Sequence, residues 1–343
     1  MSIERVLLTG GAGFIGHHTL QYLLAHTHAN IVVLDKHAYA LIQSACLQNI
    51  GALDHPRVKI LEADFGREFS ADMLRELSGV THVVHMGAQA QVDSSITDPA
   101  SSFQSNVMGT VNLLQWARAI PSLRLFLYFS TNEVFGPSPE GVNFKEGDRH
   151  NPPSPYAAGK SAAESLCVGY ANTYKLPVII TNTMNVFGER QPSEKFLPKC
   201  VRTVLAGEAM TIHGSPGGTS GSRFYIHVRN VADAVLWLLR HITKRENMLA
   251  IADPSRGRYN IVGETEMANI DFAQRVAAIL GKDINYTVVN SKNLRPGHDF
   301  RYGLDGSKLA RYGWRHPRNF DESLRDAVLW MADPNNHQWL DAM

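Results

Sequence analysis

The strongest constraint is a rhythm. Six short aliphatic or β-branched runs punctuate the first half of the chain: RVLLTG (5–10), NIVVLD (30–35), RVKILEAD (57–64), THVVHMG (81–87), RLFLYFS (124–130) and LPVIITN (176–182). Longer helical patterns separate them, among them FIGHHTLQYLLAHT, SADMLRELS, SFQSNVMGTVNLLQWARAI and SPYAAGKSAAESLCVGYANTYK. Near-continuous apolar strands alternating with helices are what βαβ units require, because a parallel sheet is buried on both faces. The expected fold is α/β: a doubly wound, Rossmann-like parallel sheet with a smaller C-terminal α/β substrate lobe. After about Arg190 the rhythm changes. SEKFLPKCVRTVLAGE reads as a helix perturbed near its start by Pro198. SRFYIHVRNVADAVLWLLRHIT reads as strand then helix, and FAQRVAAILG and FDESLRDAVLWMAD as amphipathic helices. The expected division is 1–185, with a return at roughly 225–255, for the dinucleotide lobe, and mainly 186–343 for the substrate lobe.

Bulk properties narrow the function. The 343 residues are 44% hydrophobic with net charge +1, enough for a sizeable core and without the basic excess that nucleic acid or an anionic membrane attracts. No apolar run reaches the ~20 residues of a membrane span. MSIERVLLTG lacks the apolar core and cleavage site of a signal peptide. Three cysteines, Cys46, Cys167 and Cys200, with no CxxC pair, argue against a disulfide framework and for a reducing cytoplasm. The 15 histidines show no metal-ligand spacing. His17 and His18 are adjacent on a helix and should point apart, so no metal is expected.

The first strand runs into TGGAGFIG, with Gly10, Gly13 and Gly16 in a G-x-x-G-x-x-G pattern and Phe14 and Ile15 before the last glycine. One glycine permits the tight turn, one lets backbone approach a pyrophosphate, and one lets helix pack on strand. The helix N-terminus then offers free N–H groups and a positive dipole end. The second strand ends in Asp35, where a carboxylate accepts hydrogen bonds from ribose hydroxyls and repels a 2′-phosphate. Lys36 offsets that repulsion only in part, so NAD is favoured over NADP. Asp64 and Phe65, after the third strand, are candidate adenine neighbours.

Two further segments carry chemistry. LYFSTNEVFG (127–136) ends an apolar strand in Thr131, Asn132 and Glu133. SPYAAGKSAAE sets Tyr156 and Lys160 four apart, on one face of a helix that Pro155 can start. An ammonium beside a phenol lowers the phenol's pKa. Such a phenol can take a proton from a sugar hydroxyl while hydride leaves for NAD, with Thr131 orienting that hydroxyl.

With these residues the chain resembles the extended short-chain dehydrogenase/reductase superfamily. Within it, the likeness is to nucleotide-sugar 4,6-dehydratases of the dTDP-glucose 4,6-dehydratase type. TGGAGFIG, LDK, AQAQVDSSITDP, STNEVFG, PPSPYAAGK, NVFGERQPSEKFLP and RPGHDFRYGLD carry it. The resemblance implies a lyase acting on a nucleotide-diphosphate sugar. Tyr156 and NAD oxidise C4, Glu133 removes the C5 proton, water leaves from C6, and hydride returns to C6. It also implies Gln91, Asn185, Lys195, Arg223, Arg295 and His298 as substrate-binding residues, and a homodimer formed through helices 98–119 and 155–175. Read from the residues, Lys195 opens a helix and Arg223 precedes the apolar run FYIHV.

The chain also departs from the pattern. Asn132 stands where the dTDP-glucose enzymes keep an aspartate that protonates the leaving C6 hydroxyl. Three explanations stand: Glu133 serves as both base and acid, the aspartate was replaced to trap a complex, or the reaction differs. Gln91 and Ser94 stand for a family histidine and arginine, and Gly159 for a serine. Other readings are a related epimerase, decarboxylase or 5,6-dehydratase using the same C4 oxidation, or a non-catalytic dinucleotide sensor. Glu133 argues against simple 4-epimerisation, which needs no C5 base, and the catalytic set argues against a sensor.

Overall fold

A computed structural model describes residues 3–37, 40–214, 219–242, 247–250, 252–290 and 301–341. The six runs form β1 (Arg5–Thr9), β2 (Asn30–Asp35), β3 (Val58–Glu62), β4 (His82–His85), β5 (Leu125–Thr131) and β6 (Val178–Thr183). A seventh strand, Arg258–Ile261, joins beside β6. All pair in parallel, in spatial order β3-β2-β1-β4-β5-β6 and then the seventh strand. The order reverses between β1 and β4, and in such sheets ligands bind outside the carboxyl ends at that switch point.

Burial follows the two-residue period of the strands. Val6, Leu8, Leu125 and Leu127 enter the core on one face of the sheet. Leu7, Phe126 and Tyr128 enter the core on the other. A third apolar core, with Phe187, Leu197, Phe272, Leu324 and Met331, is built from the later part of the chain. It joins the helices Phe196–Ala206, Asn269–Ile279 and Phe320–Ala332.

Several local expectations are corrected. Pro198 does not perturb its helix: it is the third residue of Phe196–Ala206, where the missing N–H has no intrahelical acceptor anyway. The long helical pattern after Pro99 is not one α-helix. A π turn at Gln104–Met108 separates Pro99–Phe103 from Gly109–Ala117. The Phe65 ring packs there so closely that a Cβ on Gly109 would lie 2.6 Å from it. His17 and His18 are both buried, with ring centroids 4.4 Å apart, and converge on Arg190 rather than diverging.

Candidate active site

The glycine loop joins β1 to the helix Phe14–His26. Gly10 has φ +69°, and a Cβ there would meet the backbone of Gly87 at 2.7 Å. A Cβ on Gly16 would lie 2.0 Å from the Gly10 carbonyl oxygen. No side chain caps the helix at Gly13. The N–H groups of Phe14, Ile15 and Gly16 thus lack the i−4 carbonyls of an established helix, at a terminus that favours anions. Asp35 braces the loop: its Oδ2 accepts from the Ala12 N–H at 3.1 Å and its Oδ1 from the His37 N–H at 3.0 Å. This cradle, closed to side chains and open in backbone N–H groups, fits a dinucleotide pyrophosphate, and Asp35 borders it.

A cavity of about 500 Å³ continues from this loop along the carboxyl ends of the strands. Its lining includes Gly10, Gly13, Phe14, Ile15, Gly16, Asp35, Lys36 and Phe65. Gln91, Thr131, Asn132, Glu133, Tyr156, Lys160, Asn185 and Lys195 line the same space. Asp64 is not part of the lining, and its Oδ1 accepts from the Gly66 N–H at 2.8 Å. Arg223 is also outside it, with its guanidinium 4.6 Å from the centre of the Tyr302 ring. Arg295 and His298 lie outside the described residues. The lining further includes Ser105, Thr183, Met184, Gln191 and Pro192, none of which stood out in the sequence. Thr183 ends β6 and Met184 follows it, so the strand-end rule that marked Thr131 applied there as well.

Thr131 closes β5, and its Oγ1 accepts from the Glu133 N–H at 3.3 Å. Asn132 is 5% exposed. Its Oδ1 lies 3.5 Å from Thr131 Oγ1, while its Nδ2 has no hydrogen-bond partner. A buried, unpartnered amide donor on a cavity wall is costly and suits a ligand acceptor.

Tyr156 and Lys160 sit on the helix Pro155–Tyr174, capped by the Ser154 hydroxyl and started by Pro155. The Tyr156 N–H donates to Ser95 Oγ at 3.1 Å. Lys160 Nζ donates to the Phe129 carbonyl at 2.6 Å and lies 4.7 Å from the Tyr128 ring centre. Burial pushes the Tyr156 phenol up, Glu133 pushes it further up, and a hydrogen bond with Thr131 draws it down. Burial depresses Lys160 to about 8. The lowering of the phenol expected from the lysine does not emerge in the protein alone, where desolvation dominates. A cation bound beside the ring is what would lower it.

Beneath the glycine loop, a buried chain of hydrogen bonds links it to the segment after β6. His17 Nδ1 donates to the Gly13 carbonyl at 2.9 Å, and Arg190 Nε donates to His17 Nε2 at 2.9 Å. Arg190 also reaches Asn49 Oδ1 at 2.8 Å. Among the described residues no group of three or more His, Cys, Asp or Glu side chains could hold a metal, and no helix is long and apolar enough to cross a membrane.

Fold and site together define an α/β dinucleotide-binding protein with a tyrosine–lysine pair beside its cofactor cradle. A model of the NAD dependent epimerase/dehydratase family matches residues 6–253. A probable dTDP-glucose 4,6-dehydratase of Sinorhizobium fredii is 32% identical, over 98% of this chain and 94% of that protein. The crystal structure of DesIV, a dTDP-glucose 4,6-dehydratase from Streptomyces venezuelae with NAD and TYD bound, superposes with TM-score 0.81 at 32% identity, covering 98% and 99% of the two chains. The trifunctional UDP-glucose 4,6-dehydratase/UDP-4-keto-6-deoxy-D-glucose 3,5-epimerase/UDP-4-keto-L-rhamnose-reductase RHM2 of Arabidopsis thaliana is 31% identical over 98% of this chain. The chain spans about half of that relative's length, 48%. The chain belongs to the NAD dependent epimerase/dehydratase family, and NAD, the cofactor expected from Asp35 and the glycine loop, is the family's cofactor.

Proposed function

We propose that the protein dehydrates a nucleoside-diphosphate hexose to its 4-keto-6-deoxy product. The observation that supports this reading best is the convergence of Thr131, Glu133, Tyr156 and Lys160 on one cavity that begins at the glycine loop. Gly10, Gly13, Phe14, Ile15, Gly16 and Asp35 would hold NAD, with Lys36 and Phe65 flanking it. When bound, NAD would supply a reversible hydride acceptor for oxidation at C4 and reduction at C6 within one turnover.

Tyr156, as phenolate, takes the proton of the C4 hydroxyl, and Thr131 Oγ1 orients that hydroxyl. The fixed charge of Lys160 favours the phenolate. The resulting 4-ketone acidifies the C5 hydrogen, which Glu133 removes. Glu133 then returns that proton to the departing C6 oxygen, and water leaves. The C5 position is reprotonated from solvent as hydride arrives at C6. Asn132 is not an acid near neutral pH, so in this reading its Nδ2 steadies the C6 oxygen as a hydrogen-bond donor while Glu133 carries the proton. Asn185, Gln91 and Lys195 line the sugar-nucleotide end of the cavity, and Arg223, Arg295 and His298 extend that role by resemblance.

This reading is checked by incubating the enzyme with nucleoside-diphosphate hexoses. A 4-keto product, visible by its near-ultraviolet absorbance in alkali, should form without accumulation of NADH. An absence of product from the whole panel rejects the reading, as does stoichiometric NADH.

We also infer a homodimer. Phe103 and Met108 are 39% and 45% exposed on the segment between Pro99 and Ala117. Beside that segment, Ala162, Ser165 and Gly169 leave a low-profile exposed face on the helix Pro155–Tyr174. Two copies can cover these faces as a four-helix bundle. A monomer mass by light scattering at micromolar concentration would reject it.

A further inference from the structure

One turn beyond Lys160 on the same helix, Glu164 is 0% exposed and outside the cavity lining. Its Oε1 accepts from Asn182 Nδ2 at 2.7 Å, and the same Nδ2 lies 3.3 Å from the carbonyl oxygen of Thr131. Its Oε2 accepts no hydrogen bond and lies 3.5 Å from both Arg258 Nε and His150 Nε2. A wholly buried carboxylate in a parallel-sheet core is expensive unless it is paired. Nothing in the mechanism above uses it.

The second observation is the isolation of the Lys160 ammonium. Lys160 is 3% exposed, and its hydrogen bond to the Phe129 carbonyl brings no negative charge. The titratable groups facing this region are His85 from β4, Tyr128 from β5, Tyr156 and Cys167 from the shared helix, His150 from the preceding loop and Arg258 from the seventh strand. Burial holds His85 and His150 down, and Tyr128, Tyr156 and Cys167 up, so all five favour their neutral forms near neutral pH. The charged groups left are the Lys160 ammonium, the Arg258 guanidinium, the Glu164 carboxylate and, on the cavity side of Tyr156, the Glu133 carboxylate, of which Glu164 is the one that acts on Lys160.

We propose that Glu164 is a positioning residue of this site: its carboxylate is the counter-charge that keeps buried Lys160 an ammonium, and through Asn182 it fixes the Thr131 carbonyl. The effect of Glu164 opposes the larger effect of burial on Lys160. The proposal rests on the proton-transfer role given to Tyr156 and Lys160, but its physical core is tested without turnover.

The experiment is an NMR pH titration of the holoenzyme labelled at lysine Cε, with the Lys160 signal assigned by its loss in Lys160→Met. In Glu164→Gln the Lys160 midpoint should fall by about one pH unit or more, the scale on which a nearby opposite charge acts. Glu164→Asp keeps the charge but withdraws it by one methylene, and should give a smaller fall. If Glu164→Gln does not fold, the aspartate variant alone must still lower the midpoint. A midpoint unmoved or raised in the folded variants overturns the proposal, whatever the enzyme's substrate proves to be. Where product formation is established, the alkaline limb of kcat should move down with the midpoint and be largely restored in Glu164→Asp. A loss of activity with an unchanged limb would mean that Glu164 serves packing alone.

Discussion

Replacing His17 by Gln removes a buried titratable ring but keeps one donor and one acceptor for the Gly13 carbonyl and the Arg190 guanidinium. Burial, reinforced by Arg190, lowers the His17 pKa to about 3 from the ordinary 6.5. The folded state therefore holds His17 neutral, while the unfolded chain binds a proton below pH ~6.5. Between the two values the unfolded state carries more protons, so stability falls as pH falls. The contribution is fully present above the unfolded value and lost progressively down to the folded one. From pH 7 to pH 5 the loss from this single group is about 2 kcal/mol, at ~1.4 kcal/mol per unit below the unfolded pKa. Equilibrium urea unfolding at pH 7, 6 and 5 measures it. Glu189 and Arg190 interact in both proteins, and burial and Arg190 hold His18 down in both even without the His17 ring, so the difference between the two pH slopes reports chiefly on His17. The Gln variant should lose about 2 kcal/mol less than wild type over this range. Parallel slopes would refute the assignment of a neutral, buried His17 under the glycine loop.

Four other substitutions bear on the site. Tyr156→Phe should lower turnover by ~10²–10⁴-fold, the usual worth of a positioned acid–base group, and leave NAD affinity nearly unchanged by calorimetry. Glu133→Gln should still oxidise C4 but stall before elimination, so NADH absorbance should rise on adding substrate, and undiminished product formation would exclude Glu133 as both base and acid. Gly16→Ala should weaken NAD binding by about tenfold or more, measured by fluorescence titration, because its Cβ meets the Gly10 carbonyl oxygen at 2.0 Å. Asn132→Asp should leave dehydration within about tenfold of wild type if Glu133 carries the proton, whereas a larger gain in steady-state product formation would mean that the wild-type site lacks its acid.

The six runs were legible as strands because a parallel sheet buried on both faces leaves little room for polar residues. The seventh strand was not, since RYNI carries Arg258 and Asn260. Asn260 is 1% exposed only because its Nδ2 donates to the carbonyls of Phe144 and Asp305, each at 3.1 Å and both far away in sequence. Gly10 and Gly16 were legible because close backbone approach leaves no substitute for glycine. The fate of His17 and His18 was not, because it depends on Arg190, which lies more than 170 residues away. Likewise, spacing showed that Tyr156 and Lys160 share a face, but the depth of burial that governs their protonation belongs to the tertiary structure. The π turn that carries Ser105 into the cavity lining arises beside the Phe65 ring, a contact that helical periodicity does not encode.

The central claim is that one residue set oxidises C4, eliminates water across C5 and C6, and returns the same hydride. Its most direct test is conversion of a nucleoside-diphosphate hexose carrying deuterium at C4, with the product analysed by NMR. The account predicts a 4-keto-6-deoxy sugar with the C4 deuterium in its C6 methyl group and, when the reaction is run in heavy water, one solvent deuterium at C5. Return of the label to C4, or its appearance in free NADH, would contradict it.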